Sequence, residues 1–106
     1  MNFITIHTSY PNTEIGKNLI SKMISDIFAN KISACINDYV TNSSYIWQGE
    51  IVKDSEIAII IKTNKNNYDK IAELISLNHC YETPQIFYQD ITIIDKKYLE
   101  WLNNSI

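Results

Sequence analysis

The chain has 106 residues, 45% of them apolar and 20% charged, and nine basic against twelve acidic residues leave a formal net charge of −3. That length suits one domain, residues 1–106, and excludes two; that composition excludes a disordered chain. No clustered basic run exists to displace counterions from a nucleic acid, and no apolar run approaches the roughly 20 residues of a membrane span, so neither partner is expected.

Met1 leads almost directly into Phe3-Ile4-Thr5-Ile6, without the charged n-region and cleavage site of a signal peptide. The cytosol is the expected compartment. Cys35 and Cys80 are then expected as free thiols rather than a disulfide. A chain this size buries roughly two thirds of the surface that its unfolded form exposes, so association would add to a modest stability.

In chain order, the β-branched and aromatic run over 3–8 predicts a strand, broken by Ser9-Tyr10-Pro11-Asn12. Asn12 or Thr13 can cap the helix that follows. There Ile15, Leu19, Ile20, Met23, Ile24, Ile27 and Phe28 form one apolar stripe, and Asn30-Lys31 suits its end. Residues 32–39 predict a second strand, extending to Trp47 with a polar interruption over 41–44. Gln48-Gly49-Glu50 is a turn with Gly49 at positive φ, and 51–62 returns as the third strand of a long hairpin. Tyr68, Ile71, Ala72, Leu74 and Ile75 mark a second amphipathic helix. A loop over 78–84, a fourth strand over 85–92 and a short helix capped by Asp95 complete the chain.

Strand, helix, strand, strand, helix, strand is the ferredoxin-like split βαβ pattern, an α+β fold. Its crossovers put both helices on one face of a four-stranded antiparallel sheet. A bare second face should alternate apolar with polar residues. The third strand instead carries Ile57-Ala58-Ile59-Ile60-Ile61, apolar on both parities. No further element of the chain is long enough to cover that face, so the expected cover is another copy of the chain.

At the hairpin the sequence becomes recognisable. Ser33-Ala34-Cys35-Ile36-Asn37 and Ser44-Tyr45-Ile46-Trp47-Gln48-Gly49-Glu50-Ile51 are followed at fixed spacing by Glu56 and Lys62-Thr63. His79-Cys80-Tyr81-Glu82-Thr83-Pro84 and Tyr98-Leu99-Glu100-Trp101-Leu102 come after them. Together these resemble, in order, the motifs of the divalent-cation tolerance (CutA) family, over about residues 3–102. The resemblance implies a ferredoxin-like fold, a tight homotrimer with strands meeting across subunits, and a link to divalent-cation tolerance with a tendency to bind copper. It also implies likeness to trimeric nitrogen-regulatory signalling proteins. One departure stands out: Cys80 replaces the family's proline after the loop histidine. That restores a backbone N–H and sets a soft ligand atom beside His79.

Each candidate residue has two readings. Cys35 is a small buried hydrophobe or a thiolate ligand for copper or zinc. His79 and Cys80 are neighbours whose side chains point apart in an extended segment. With only these, Cys35 and His7, a closed four-ligand zinc site within one subunit is not expected. A partial site, completed by carboxylates, water or another subunit, is left open for Cys35, His79 and Cys80. Glu50 and Glu56 are solvated hairpin charges or line a pocket between subunits. Tyr81 is a further candidate for that pocket, and Lys62 and Glu82, which fall inside the matching motifs, are its favoured residues. Tyr45 and Trp47, and Tyr98 and Trp101, are candidate trimer contacts.

No Gly-rich phosphate loop and no motif around an activated nucleophile occur, so an enzyme is not expected. The expected function is a cytosolic homotrimer that binds divalent metal, copper first, with no cofactor needed for folding. The alternative is a signalling or scaffold trimer holding a small anionic ligand or a partner's peptide in an intersubunit cleft.

Overall fold

β1 (Phe3–Pro11) is an inner strand whose alternate residues split between two faces. Ile4, Ile6, Thr8 and Tyr10 are buried on one side, while Phe3, Thr5, His7 and Ser9 take the other. The computed structural model describes residues 2–106, so the first residue of the expected domain, Met1, lies outside the described residues. The strand continues past the break expected after Thr8, with Pro11 registered opposite Glu56. Proline fits there because the fourth strand flanks β1 only from Phe3 to His7, leaving the later part an edge that needs no donor on that side.

Thr13 is the cap of α1 (Glu14–Ala29), its hydroxyl accepting from the Gly16 N–H. Gly16 is required by close approach: a Cβ there would lie 2.0 Å from the Pro11 carbonyl oxygen. After α1, β2 (Cys35–Trp47) and β3 (Glu50–Asn64) form the expected hairpin, with Cys35 opposite Lys62 and Trp47 opposite Glu50. The polar stretch 41–44 does not interrupt it, since each of these residues pairs with a residue of β3. Gln48 and Gly49 both take positive φ, 50° and 80°, the conformation of a two-residue hairpin turn.

A single 3₁₀ turn (Lys65–Asn67), not expected from the sequence, leads into α2 (Tyr68–Leu77). The Asn64 side chain caps that turn by accepting from the Asn66 N–H. β4 (Phe87–Ile91) is shorter than expected, and α3 (Lys96–Asn104) is capped by Asp95 through the Tyr98 N–H.

The sheet order is β2-β3-β1-β4 with every pair antiparallel, the ferredoxin-like arrangement. Ile20, Met23 and Ile27 of α1 and Ile71 and Ile75 of α2 bury against Ile4, Ile6, Ile57, Ile59 and Ile61. The opposite face is not left wholly to another copy. α3 lies over one end of it, with the Tyr98 ring 5.8 Å from the Lys62 ammonium and Leu102 fully buried. Phe3 and Thr5 are buried at that same end. Short as it is, α3 covers what its length reaches. The hairpin half of this face, with Tyr39, Tyr45 and Trp47, remains exposed.

Candidate functional site

The exposed half of the open face forms a groove of about 730 Å³ between the hairpin and the loop over 80–85. Register explains its lining. Tyr39, Tyr45 and Trp47 share one parity of β2, Glu56 and Ala58 the matching parity of β3, and Ser9 that of β1. Tyr81 and Glu82 come from the loop, beside Cys80.

Glu56 is the centre of the polar network. It is only 6% exposed, so it is not the solvated hairpin charge that its position in the sequence suggested. The Tyr81 hydroxyl donates to its Oε2 at 2.8 Å and the Ser9 hydroxyl at 3.4 Å. Burial, and then this hydrogen bond to a carboxylate, push the Tyr81 phenol well above its ordinary range. The Tyr45 hydroxyl donates to Asp54 at 2.6 Å, which raises that phenol as well.

His79 holds the loop to the sheet. Its Nε2–H donates to the Ser9 carbonyl at 2.7 Å, and its Nδ1 accepts the Tyr81 N–H at 3.0 Å, a pair compatible only with the Nε2–H tautomer. The ring stacks on Tyr10 at 4.0 Å. Burial holds the imidazole below its ordinary value, against smaller opposing effects of the Ser9 carbonyl and Glu56. With both nitrogens engaged, His79 can ligate an ion only by giving up one of these bonds.

Cys35 sits at the other end of the face. The Lys62 ammonium lies 3.6 Å from its sulfur, 3.1 Å from the Asn37 amide oxygen and over the Tyr98 ring. The Tyr98 phenol is raised first by the Cys35 thiol beside it and then by burial. Cys35 is level with Thr5 of β1, whereas His79 meets Ser9, so about 13 Å of strand separates their levels.

The structure therefore brings Cys80, Tyr81 and Glu82 together at the groove, with His79 bracing their loop, and places Cys35 and Lys62 elsewhere. Both cysteines are free thiols, Cys35 half-buried and Cys80 exposed. Among the described residues no group of three or more His, Cys, Asp or Glu side chains is poised to hold an ion. Of the aromatic candidates, Tyr45 and Trp47 line the groove, while the rings of Tyr98 and Trp101 meet at 5.6 Å, tilted by 37°, on α3. Sequence reasoning passed over Ser9, Tyr39 and the burial of Glu56. Parity counted along β3 from Lys62 carries that signal, because it sets Glu56 and Lys62 on one face.

The CutA1 divalent ion tolerance protein model matches residues 4–105. The divalent-cation tolerance protein CutA of Thermotoga maritima is 34% identical over 107 residues, covering 97% of this chain and 98% of that protein. The chloroplastic CutA protein of Arabidopsis thaliana is 36% identical over 103 residues, 96% of this chain. The chain spans only 54% of the Arabidopsis protein, about half its length. The crystal structure of CutA1 from Oryza sativa superposes with a TM-score of 0.86 at 35% identity, covering 99% of this chain and 94% of the rice one. With the family model matching nearly the whole chain and relatives more than 30% identical over almost all of it, the chain belongs to the CutA1 divalent ion tolerance family.

Proposed function

We propose that the protein is a non-catalytic homotrimer that binds divalent metal, copper first, and acts in cation tolerance in the cytoplasm. The observation that carries this reading is the family match over residues 4–105, and two free thiols supply soft donors suited to copper. Cys35, His79 and Cys80 are the proposed ligands. Because Cys35 and His79 stand apart in one subunit, they belong to separate or intersubunit sites, each completed by water, a carboxylate or another copy. Tyr45, Trp47, Tyr98 and Trp101 are the proposed trimer contacts; Trp47 and Trp101 are 45% and 47% exposed in the single chain.

The test is native mass spectrometry during copper and zinc titration of the wild type and of Cys35→Ala, His79→Ala and Cys80→Ala. Stoichiometric copper on a trimer, weakened by at least one substitution, is the expected result. A trimer that takes up neither ion overturns the metal reading.

The groove favours a second reading, a signalling or scaffold trimer with a ligand between subunits. Its volume suits a small molecule, and Tyr81 and Glu82 lie in its wall. Its lining includes no lysine, however, so an anionic ligand would need Lys62 delivered from a neighbouring subunit. A rise in melting temperature with one member of a metabolite panel, and none with metal, would favour this reading.

A further inference from the structure

Two side chains of the open face carry charges that no opposite charge among the described residues balances. Glu56 is buried, yet among the described residues its only donors are the neutral hydroxyls of Ser9 and Tyr81. Both reach Oε2; among the described residues neither a donor nor a cation reaches Oε1, which stays open to water in the groove that the residue lines. The Lys62 ammonium has equally neutral surroundings: an amide oxygen, a thiol and a phenol ring. Water can serve that oxygen in the single chain; assembly that excludes the water would leave a buried carboxylate without a countercharge, which is unfavourable.

We infer that the Glu56 carboxylate receives the ammonium of the partner subunit's Lys62, so that the groove is a site completed only by a second copy of the chain. This rests on the homotrimer proposed above and names the contact that builds it. The two residues share one face of β3 but stand six positions apart, about 20 Å along the strand, too far to meet within one subunit. A closed ring joins unlike patches of successive copies, and here one end of the open face offers the buried Glu56 carboxylate, with exposed Glu82 in the same groove, and the other offers the Lys62 ammonium. The choice of cation is narrow. The chain has no arginine. Of the two lysines on the sheet, Lys53 has the opposite parity to Lys62. Lys22 and Lys65 already face Asp26 and Asp90, and Lys17, Lys31, Lys70, Lys96 and Lys97 lie on or next to the helices rather than on the sheet. Exposed Tyr39, level with Ala58 two positions from Glu56, and Tyr45 in the same groove supply apolar area to shield the pair.

The experiment is carbodiimide cross-linking of a trimer reassembled from equal amounts of ¹⁴N- and ¹⁵N-labelled chains, with peptide mapping. A Glu56–Lys62 amide in mixed-isotope peptides is expected. A Glu56 link to another lysine, or coupling of Glu56 to added ethylenediamine in place of Lys62, overturns the proposal and assigns the groove to a different cation. Charge exchange supplies the second arm. Glu56→Lys and Lys62→Glu should each weaken the trimer at least tenfold by native mass spectrometry, and the double variant should recover most of the loss. Single variants that assemble normally, or a double variant no better than either, overturn the pair while leaving the trimer standing. A wild-type monomer removes the trimer itself, and the pair with it.

Discussion

At the scale of single residues, protonation of His79 sets two N–H groups against each other. Its Nδ1 accepts the Tyr81 N–H, and a proton on that nitrogen would face the donor head-on. Burial keeps the folded imidazole below its ordinary value of 6.5, so the unfolded chain binds the proton more readily. The sign follows: the contribution of His79 is fully present above pH 6.5 and is lost as pH falls from there through the lower folded value. His7, stacked on Phe87 and also shifted down by burial, acts in the same direction. Melting curves between pH 7.5 and 5 should show the wild type losing more stability than His79→Gln over that interval. Parallel losses in the two proteins would remove His79 as the source. The loop motif was legible in the sequence, but which nitrogen does what was not, because both contacts join His79 to backbone positions that only the folded loop brings near.

At the scale of elements, Gly16 separates intrinsic propensity from packing. Alanine in a helix is ordinarily better than glycine by roughly 0.5–1 kcal/mol. Here the added methyl would stand 2.0 Å from the Pro11 carbonyl, a backbone atom fixed by the pairing of Pro11 with Glu56. Overpacking costs about 1–3 kcal/mol, so steric conflict should win and Gly16→Ala should lower the urea midpoint. A raised midpoint would mean that α1 slides along the sheet at no cost. The order of elements was readable because the apolar stripes of α1 and α2 and the turn at Gly49 are local signals. The ends were not. Pro11 stays in β1, and residues 41–44 stay in β2, because pairing with β3 outweighs local preference, and a partner strand is invisible in a window of single sequence. The placing of α3 over the Lys62 end of the open face escaped for the same reason, since it depends on where a short helix lands.

At the scale of the whole molecule, the single chain is longer than its mass requires. Its radius of gyration is 14.5 Å, against about 13 Å for a compact domain of this length, and its principal extents are 46 × 25 × 22 Å. The excess is the hairpin, which carries Tyr45, Ile46, Trp47 and Ile51 exposed beyond the reach of the core. The core itself is built of apolar side chains, so stripping metal with a chelator should leave the melting temperature unchanged; a marked fall would make an ion part of the fold. Truncating an exposed side chain usually changes a subunit's own stability by less than about 0.5 kcal/mol, whereas an aromatic anchor at an interface typically contributes about 2 kcal/mol or more. Trp47→Ala should therefore keep the far-ultraviolet circular dichroism of the wild type while shifting the sedimentation profile towards smaller species. If the variant sediments as the wild type does, the hairpin tip is free in the assembly and the contact lies elsewhere on the open face. If it loses its secondary structure instead, Trp47 supports the hairpin within its own subunit, and the excess length of the chain is stabilised from within.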